Sequence, residues 1–85
     1  MLEKVPAALA AEVTHRVSCA TIGIGAGNGT DGQVLVYADM MGMSKGFKPK
    51  FMRHYADLWT TMTEAVGAYV RDVKSTDFPN ASESY

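Results

Sequence analysis

The sequence predicts an α/β fold built on parallel strands, and three features predict it. Met1 to Ile24 reads as strand, helix, strand. A glycine-dense loop then joins two β-rich runs, and a long amphipathic stretch near the C-terminus carries helical spacing.

Met1-Leu2-Glu3-Lys4-Val5 reads as the last residues of a strand rather than the start of a domain, so segments upstream are expected to be missing. Pro6 supplies the fixed φ and absent donor that suit a helix's first turn. From Pro6 to about Val17, Leu9, Ala10, Val13 and Val17 recur at helical spacing, while Glu12, Thr14, His15 and Arg16 take the other face. His15 has no second ligand three or four positions away and reads as a solvated helix residue. Ser18-Cys19-Ala20 turns into the second strand. A β–α–β unit of this kind implies parallel pairing with a right-handed crossover.

The stretch from Thr21 to Asp39 organises the chain. Thr21, Ile22 and Ile24 lead into five glycines in ten residues, Gly23, Gly25, Gly27, Gly29 and Gly32, and then into the β-rich run Gln33 to Tyr37, read as a strand ending at Asp39. Glycine at that density marks either close packing of backbone or a loop whose N–H groups cradle an anion. Gly27 to Gly32 fits G-x-G-x-x-G, but a dinucleotide fingerprint must open a helix, and β-rich residues follow instead. Met40 to Pro49 reads as a longer loop, its methionines as adaptable packing.

Pro49 is expected to start the longest element. Phe51, Tyr55, Leu58, Met62, Ala65 or Val66, Tyr69 and Val73 follow at three- and four-residue steps, predicting a helix of about 24 residues and about 36 Å. Such a stripe reads as a core or subunit face. The tail, Ser75 to Tyr85, is polar and is expected to be extended, with Phe78 and Tyr85 available as anchors. The predicted organisation is therefore a body over residues 1–74 and a tail over 75–85.

Eighty-five residues make one small domain at most, with a marginal core. A net charge of −1 offers no broad field for nucleic acid, and no apolar run approaches the roughly 18 residues of a membrane span. A cytoplasmic location is the resulting expectation. Cys19 has no partner for a disulfide or a zinc site and reads as a small buried hydrophobe.

In parallel β/α architectures, ligands collect at the carboxyl ends of the strands. Three such ends are predicted: Glu3, the loop from Gly25 to Gly32, and Asp39. A carboxylate at a strand end beside apolar walls can act as a general base on a proton next to a carbonyl, and Glu3 has that placement. It also stands where a helix N-terminus at Pro6 would favour a negative charge. Asp31 reads as an Asx-turn residue, and Asp39 as a polar contact with no second carboxylate nearby to make a metal site. Lys45, Lys48, Lys50 and Arg53 form the only basic cluster, suited to an anionic substrate tail or to a solvated face. Lys48 and Lys50 would sit where a helix dipole disfavours cations. His54 reads as a surface residue of the same helix.

Taken together, Glu3-Lys4-Val5-Pro6, Thr21-Ile22-Gly23-Ile24-Gly25-Ala26-Gly27, Thr30-Asp31-Gly32-Gln33-Val34-Leu35-Val36, Gly46-Phe47-x-Pro49-Lys50-Phe51 and Phe78-Pro79 resemble the C-terminal part of the ketopantoate hydroxymethyltransferase family. The resemblance covers essentially the whole chain. It implies part of a (β/α)8 TIM barrel: the end of strand six, helix six, strand seven, strand eight and the long final helix. It further implies a magnesium-dependent transfer of a one-carbon unit from 5,10-methylenetetrahydrofolate to 3-methyl-2-oxobutanoate, in pantothenate biosynthesis, with Glu3 matching the base that removes the C3 proton. The family's metal ligands lie in earlier strands, so this chain is expected to supply none, and the resemblance assigns it no cofactor-binding residue. Lys4, Ala20, Lys45 and Glu83 depart from the family's usual residues. The chain alone is expected to be inactive and to need the N-terminal barrel portion or self-association. The alternative is a non-catalytic α/β module for anion binding or oligomerisation.

Overall fold

The computed structural model describes residues 1–85. Its elements are β1 (Leu2–Glu3), α1 (Ala7–Arg16), β2 (Ile22–Ile24), β3 (Gly32–Gln33), α2 (Tyr37–Met40), α3 (Leu58–Lys74) and a 3-10 turn (Ala81–Glu83). The three strands form one parallel sheet with β2 in the middle. Leu2 pairs with Gly23 and Glu3 with Ile24, while Ile22 pairs with Gly32 and Gly23 with Gln33.

Pro6 stands just before α1, where its missing N–H costs nothing and its carbonyl accepts the Ala10 N–H at 3.0 Å. The helix ends at Val17, where the backbone turns extended. Ala10 is fully buried, but Leu9 and Val17 of the predicted apolar face are left largely uncovered. Arg16 and Glu12 form an ion pair one turn apart; both side chains are more than half exposed, so it adds little.

Parallel neighbours usually need a crossover of a dozen or more residues. Here residues 25–31 suffice between β2 and β3, because strands of two or three residues at about 3.3 Å each leave only a short return path. The return runs along α1. A Cβ on Gly27 would stand 2.4 Å from the Ala7 Cβ, and one on Gly29 would stand 2.8 Å from that of Ala11, so the loop backbone lies where side chains would otherwise be. Of the two meanings open to the glycines, close packing is the one these contacts support.

Two element boundaries differ from those expected. The strand expected from Gln33 to Asp39 stops at Gln33; past it the Val34 N–H still donates to the Gly23 carbonyl at 3.0 Å, but Leu35 and Val36 are outside the strand and Tyr37–Met40 turns helical. β-branched residues favour a pleated, half-buried surface rather than a strand as such, and beyond Gln33 no neighbouring strand offers one. Asp39 therefore lies in α2 and not at a strand end.

The helix expected from Pro49 begins at Leu58, making 17 residues instead of about 24. Asp57 is the reason. Its carboxylate accepts the Thr60 N–H at 3.2 Å and the Thr60 hydroxyl at 2.7 Å, an N-cap that fixes the first turn. Upstream, tertiary bonds claim the backbone: Tyr55 N–H donates to the Met40 carbonyl at 2.7 Å, Leu58 to Met41 at 3.1 Å and Trp59 to Gly42 at 2.8 Å. Lys48, Lys50 and His54 thus belong to a loop, and the expected conflict with a helix dipole does not arise.

In the tail, the Ala81–Glu83 turn replaces part of the extended run. Asn80 accepts the Ser82 N–H at 2.9 Å and Glu83 reaches back to the Asn80 N–H at 3.0 Å. Phe78 packs edge-on against Tyr69 of α3 at 5.5 Å, whereas Tyr85 is fully exposed and anchors nothing. Cys19, expected to be buried, is exposed in the turn between α1 and β2, which no other element covers.

No large side chain is fully buried; the core amounts to Ala10, Ala26 and Thr21, with two glycines. The chain is a slab of 66 × 27 × 14 Å with a radius of gyration of 21.2 Å, against about 12 Å for a compact domain of this length. It exposes 6769 Å², where a compact monomer of its mass would expose roughly 4,900 Å². Both β1 and β3 are open edges, and the apolar stripe of α3, from Trp59 to Val73, faces outward. No helix is long and apolar enough to cross a membrane.

Two outcomes follow from this arrangement. The isolated 85-residue chain is expected to bind a hydrophobic dye such as ANS and to show no single cooperative monomeric melt; a sharp, concentration-independent transition would contradict this. At α3, the Thr60 hydroxyl and then the Thr60 N–H hold the Asp57 carboxyl below its ordinary 3.8, with His54 and Lys45 adding to the effect. A lowered carboxyl stabilises the folded form above that ordinary value, and the contribution is lost as pH falls through the folded value. A peptide from Tyr55 to Thr76 should lose helical circular dichroism on acidification below 3.8, and Asp57→Asn should flatten that response.

Candidate functional site

All three strands are parallel, so their carboxyl ends open on one side of the sheet. β1 delivers Glu3 there, β2 delivers Gly25 to Gly27, and β3 delivers Val34 and Leu35. The loop between α2 and α3 folds back over these ends. It leaves one groove of about 780 Å³ lined by Val5, Gly25 and Gly27, with exposed Glu3 at its rim, and bordered by Phe47, Lys50 and Phe51. A second, of about 660 Å³, shares Gly25, Gly27 and Phe51 and extends past Gln33 and Val34 to Arg53 and Tyr55.

Phe51 separates the two. Its ring lies directly on Gly25, where a Cβ would come within 2.8 Å of the ring carbons and where φ is +62°. Only glycine meets both demands at this point. Spacing alone assigned Phe51 to the stripe of a long helix; it is the wall of the site instead.

The glycine loop is held by side chains at both ends. The Thr21 N–H and hydroxyl donate to Asp31 Oδ2 at 2.8 and 3.0 Å, and the Asp31 N–H donates to the Thr21 hydroxyl at 3.2 Å. Thr14 of α1 joins the pair through its hydroxyl, 2.8 Å from that of Thr21. Asp31 is therefore a clamp across ten residues and not the local Asx turn expected. Gln33 closes the other side, donating from Nε2 to the Gly27 carbonyl at 2.8 Å and to the Thr30 hydroxyl at 3.0 Å. The Thr21–Asp31 pairing could not be read from local sequence, because it depends on the register of β2 against β3.

Glu3 is exposed at the end of β1, on the rim of the larger groove, as expected. The next residue, Lys4, has a left-handed backbone at φ 54°, and its N–H donates to the Ile24 carbonyl at 2.9 Å. Asp39 lies in α2 and lines neither groove. His15 and His54 are both at the surface. No three His, Cys, Asp or Glu side chains converge in the chain.

A parallel α/β scaffold with a carboxylate and cations gathered at its strand ends is the arrangement of an α/β enzyme site. Residues 1–81 match the family profile described as ketopantoate hydroxymethyltransferase, and the chain belongs to that family. It is 58% identical over all 85 residues to the 3-methyl-2-oxobutanoate hydroxymethyltransferase of Bacteroides fragilis, covering 31% of that relative. It is likewise 58% identical to the protein of that name from Salinibacter ruber, covering 32% of it, and 53% identical to that from Porphyromonas gingivalis, covering 31%. The chain thus spans about a third of the length of the curated relatives it matches.

The glycine seat can be tested in a full-length hybrid, with this chain joined behind the preceding segment of the Bacteroides fragilis relative. Gly27→Ala there should cost about 2–4 kcal/mol of stability, from the left-handed backbone and the clash with Ala7 together. Gly32→Ala, whose nearest neighbour is an Ile22 carbon at 3.8 Å, should stay within about 0.5 kcal/mol. Equal losses in denaturant melts would show that the approach to α1 does not govern the loop.

Proposed function

We propose that this chain is the C-terminal part of a (β/α)8 barrel that transfers a hydroxymethyl group from 5,10-methylenetetrahydrofolate to 3-methyl-2-oxobutanoate, giving ketopantoate for pantothenate biosynthesis. One observation carries the reading. The whole chain aligns at 58% identity with a protein of that name, and in the aligned segment Glu3 stands at a strand end on the rim of a groove.

Within this chain the chemistry falls to Glu3. Its carboxylate accepts the proton from C3 of the 2-oxo acid, and the electron pair of that C–H bond passes into the enolate. Water cleaves the two C–N bonds that hold the one-carbon unit and supplies its oxygen, releasing tetrahydrofolate; the enolate carbon then adds to that carbon at the formaldehyde level, and the oxygen takes up a proton to become the hydroxyl of ketopantoate. Val5, beside Glu3 in the groove, suits the branched apolar end of 3-methyl-2-oxobutanoate. Magnesium belongs to the proposal through the family alone, and no residue of this chain is assigned to it.

The body over residues 1–74 would supply strands and helices to the barrel, and the remaining two-thirds of the enzyme would cover β1 and the outward apolar surfaces. A homo-oligomer through α3 and a cytoplasmic setting fit the same reading.

The hybrid enzyme should form ketopantoate. Glu3→Gln should lower kcat by about 10²- to 10⁴-fold with little change in the KM for either substrate, as expected for loss of a general base. Full turnover by the Gln variant would remove Glu3 from the mechanism.

A further inference from the structure

The segment from Met43 to Tyr55 is an arm fastened at its base by the Tyr55, Leu58 and Trp59 hydrogen bonds to Met40, Met41 and Gly42. It carries Lys45, Lys48, Lys50 and Arg53 and contains no carboxylate. None of the four is in an ion pair; the single ion pair of the chain is Arg16 with Glu12. Like charges packed into nine residues repel one another; Asp57 offsets Lys45 in part and Arg53 lies over the Tyr55 ring, while Lys48 and Lys50 have no such partner.

Every one of these cations borders a groove. Lys45 and Lys48 line a third one of about 360 Å³, beside His54, Trp59 and the Asp57 carboxylate, which is engaged by Thr60 at the start of α3. Lys50 borders the groove of Glu3, and Arg53 the groove beyond Phe51. Phe47 is common to the first two of these openings and Phe51 to the last two, so the three run together around two aromatic rings. Phe47 is 91% exposed, a ring with almost no packing of its own.

We infer that the arm is the binding element for a polyanionic ligand with a flat apolar body. Resting on the transferase reading above, that ligand is the folate co-substrate. Its ring systems would lie against Phe47 and Phe51 with the one-carbon unit toward Glu3. The glutamate carboxylates would run to Lys45 and Lys48, away from the reacting carbon. The same arrangement makes the number of glutamates on the tail a determinant of affinity. Lys45 and Lys48 are then specificity residues and take no part in the chemical step.

The test uses the full-length hybrid and 5-formyltetrahydrofolate, as the monoglutamate and as the γ-linked triglutamate, with binding followed by calorimetry. The triglutamate should bind about tenfold more tightly, an advantage that shrinks with added salt. The double variant Lys45→Ala/Lys48→Ala should weaken the triglutamate about tenfold and the monoglutamate less, so that the difference closes, while Lys74→Ala on α3 should preserve it. In turnover, the double variant should raise the KM for the triglutamate co-substrate about tenfold and that for the monoglutamate less, with the KM for the 2-oxo acid unaltered. Equal binding of both forms by the parent hybrid, or an advantage that survives in the double variant, overturns the assignment. Discrimination by tail length without any turnover would keep the site and remove the transferase reading; turnover without discrimination would do the reverse.

Discussion

The approach of the glycine loop to α1 is the constraint on which the rest depends. With Gly27 and Gly29 seated against Ala7 and Ala11, the short segment 25–31 can return the chain from β2 to β3 and keep the two strands parallel. Any side chain at those points would push the loop outward and lengthen the path. Parallel pairing in turn puts Glu3, Gly25 and Val34 on one side of the sheet. Small residues on both the helix and the loop are thus what aligns the strand ends, and the site is a consequence of that alignment.

Much of this was legible in the sequence because it is local. Pro6 announces α1, and the β–α–β spacing announces parallel strands. The glycines announce a loop in which backbone is approached closely. The placement of Glu3 follows from a strand ending just before a helix-starting proline. What was not legible depends on partners distant in the chain. Asp57 followed three residues later by Thr60 is an N-cap signal, but the apolar periodicity continuing back to Phe51 obscured it. The decisive factor there is tertiary, since the carbonyls of Met40 to Gly42 take the N–H groups of Tyr55, Leu58 and Trp59. Asp31 has the composition of a turn residue, and only the register of β2 against β3 brings it to Thr21. Cys19 has an apolar character that burial would reward, yet nothing in the chain reaches over that turn.

Hydrogen bonds, rather than a core, give the site its shape. Thr14, Thr21 and Asp31 tie α1 to the sheet, Gln33 ties the loop to itself, and Asp57 ties α3 to its own start. Apolar burial is correspondingly poor: the large residues of α3 and Phe47 of the arm remain uncovered. This division is informative, because directional bonds can define a site's geometry while contributing only about 1 kcal/mol each to net stability. Most of the stabilisation must come from covering the apolar surface and the two sheet edges.

Lys4 shows how closely folding and chemistry are joined at this edge. A left-handed conformation in a residue with a side chain costs about 1–2 kcal/mol and persists only when its surroundings impose it. Two neighbours impose it here. The Lys4 N–H is held by the Ile24 carbonyl, which extends the β1–β2 ladder one step past Glu3, and Pro6 must then be reached two residues later with its φ fixed. The chain can satisfy both only by turning sharply at Lys4. That turn ends the strand at Glu3 and directs the backbone into α1. Glu3 is therefore left at the rim of the groove and not carried onward into a longer strand, so the strain at Lys4 maintains the position of the carboxylate proposed as the base.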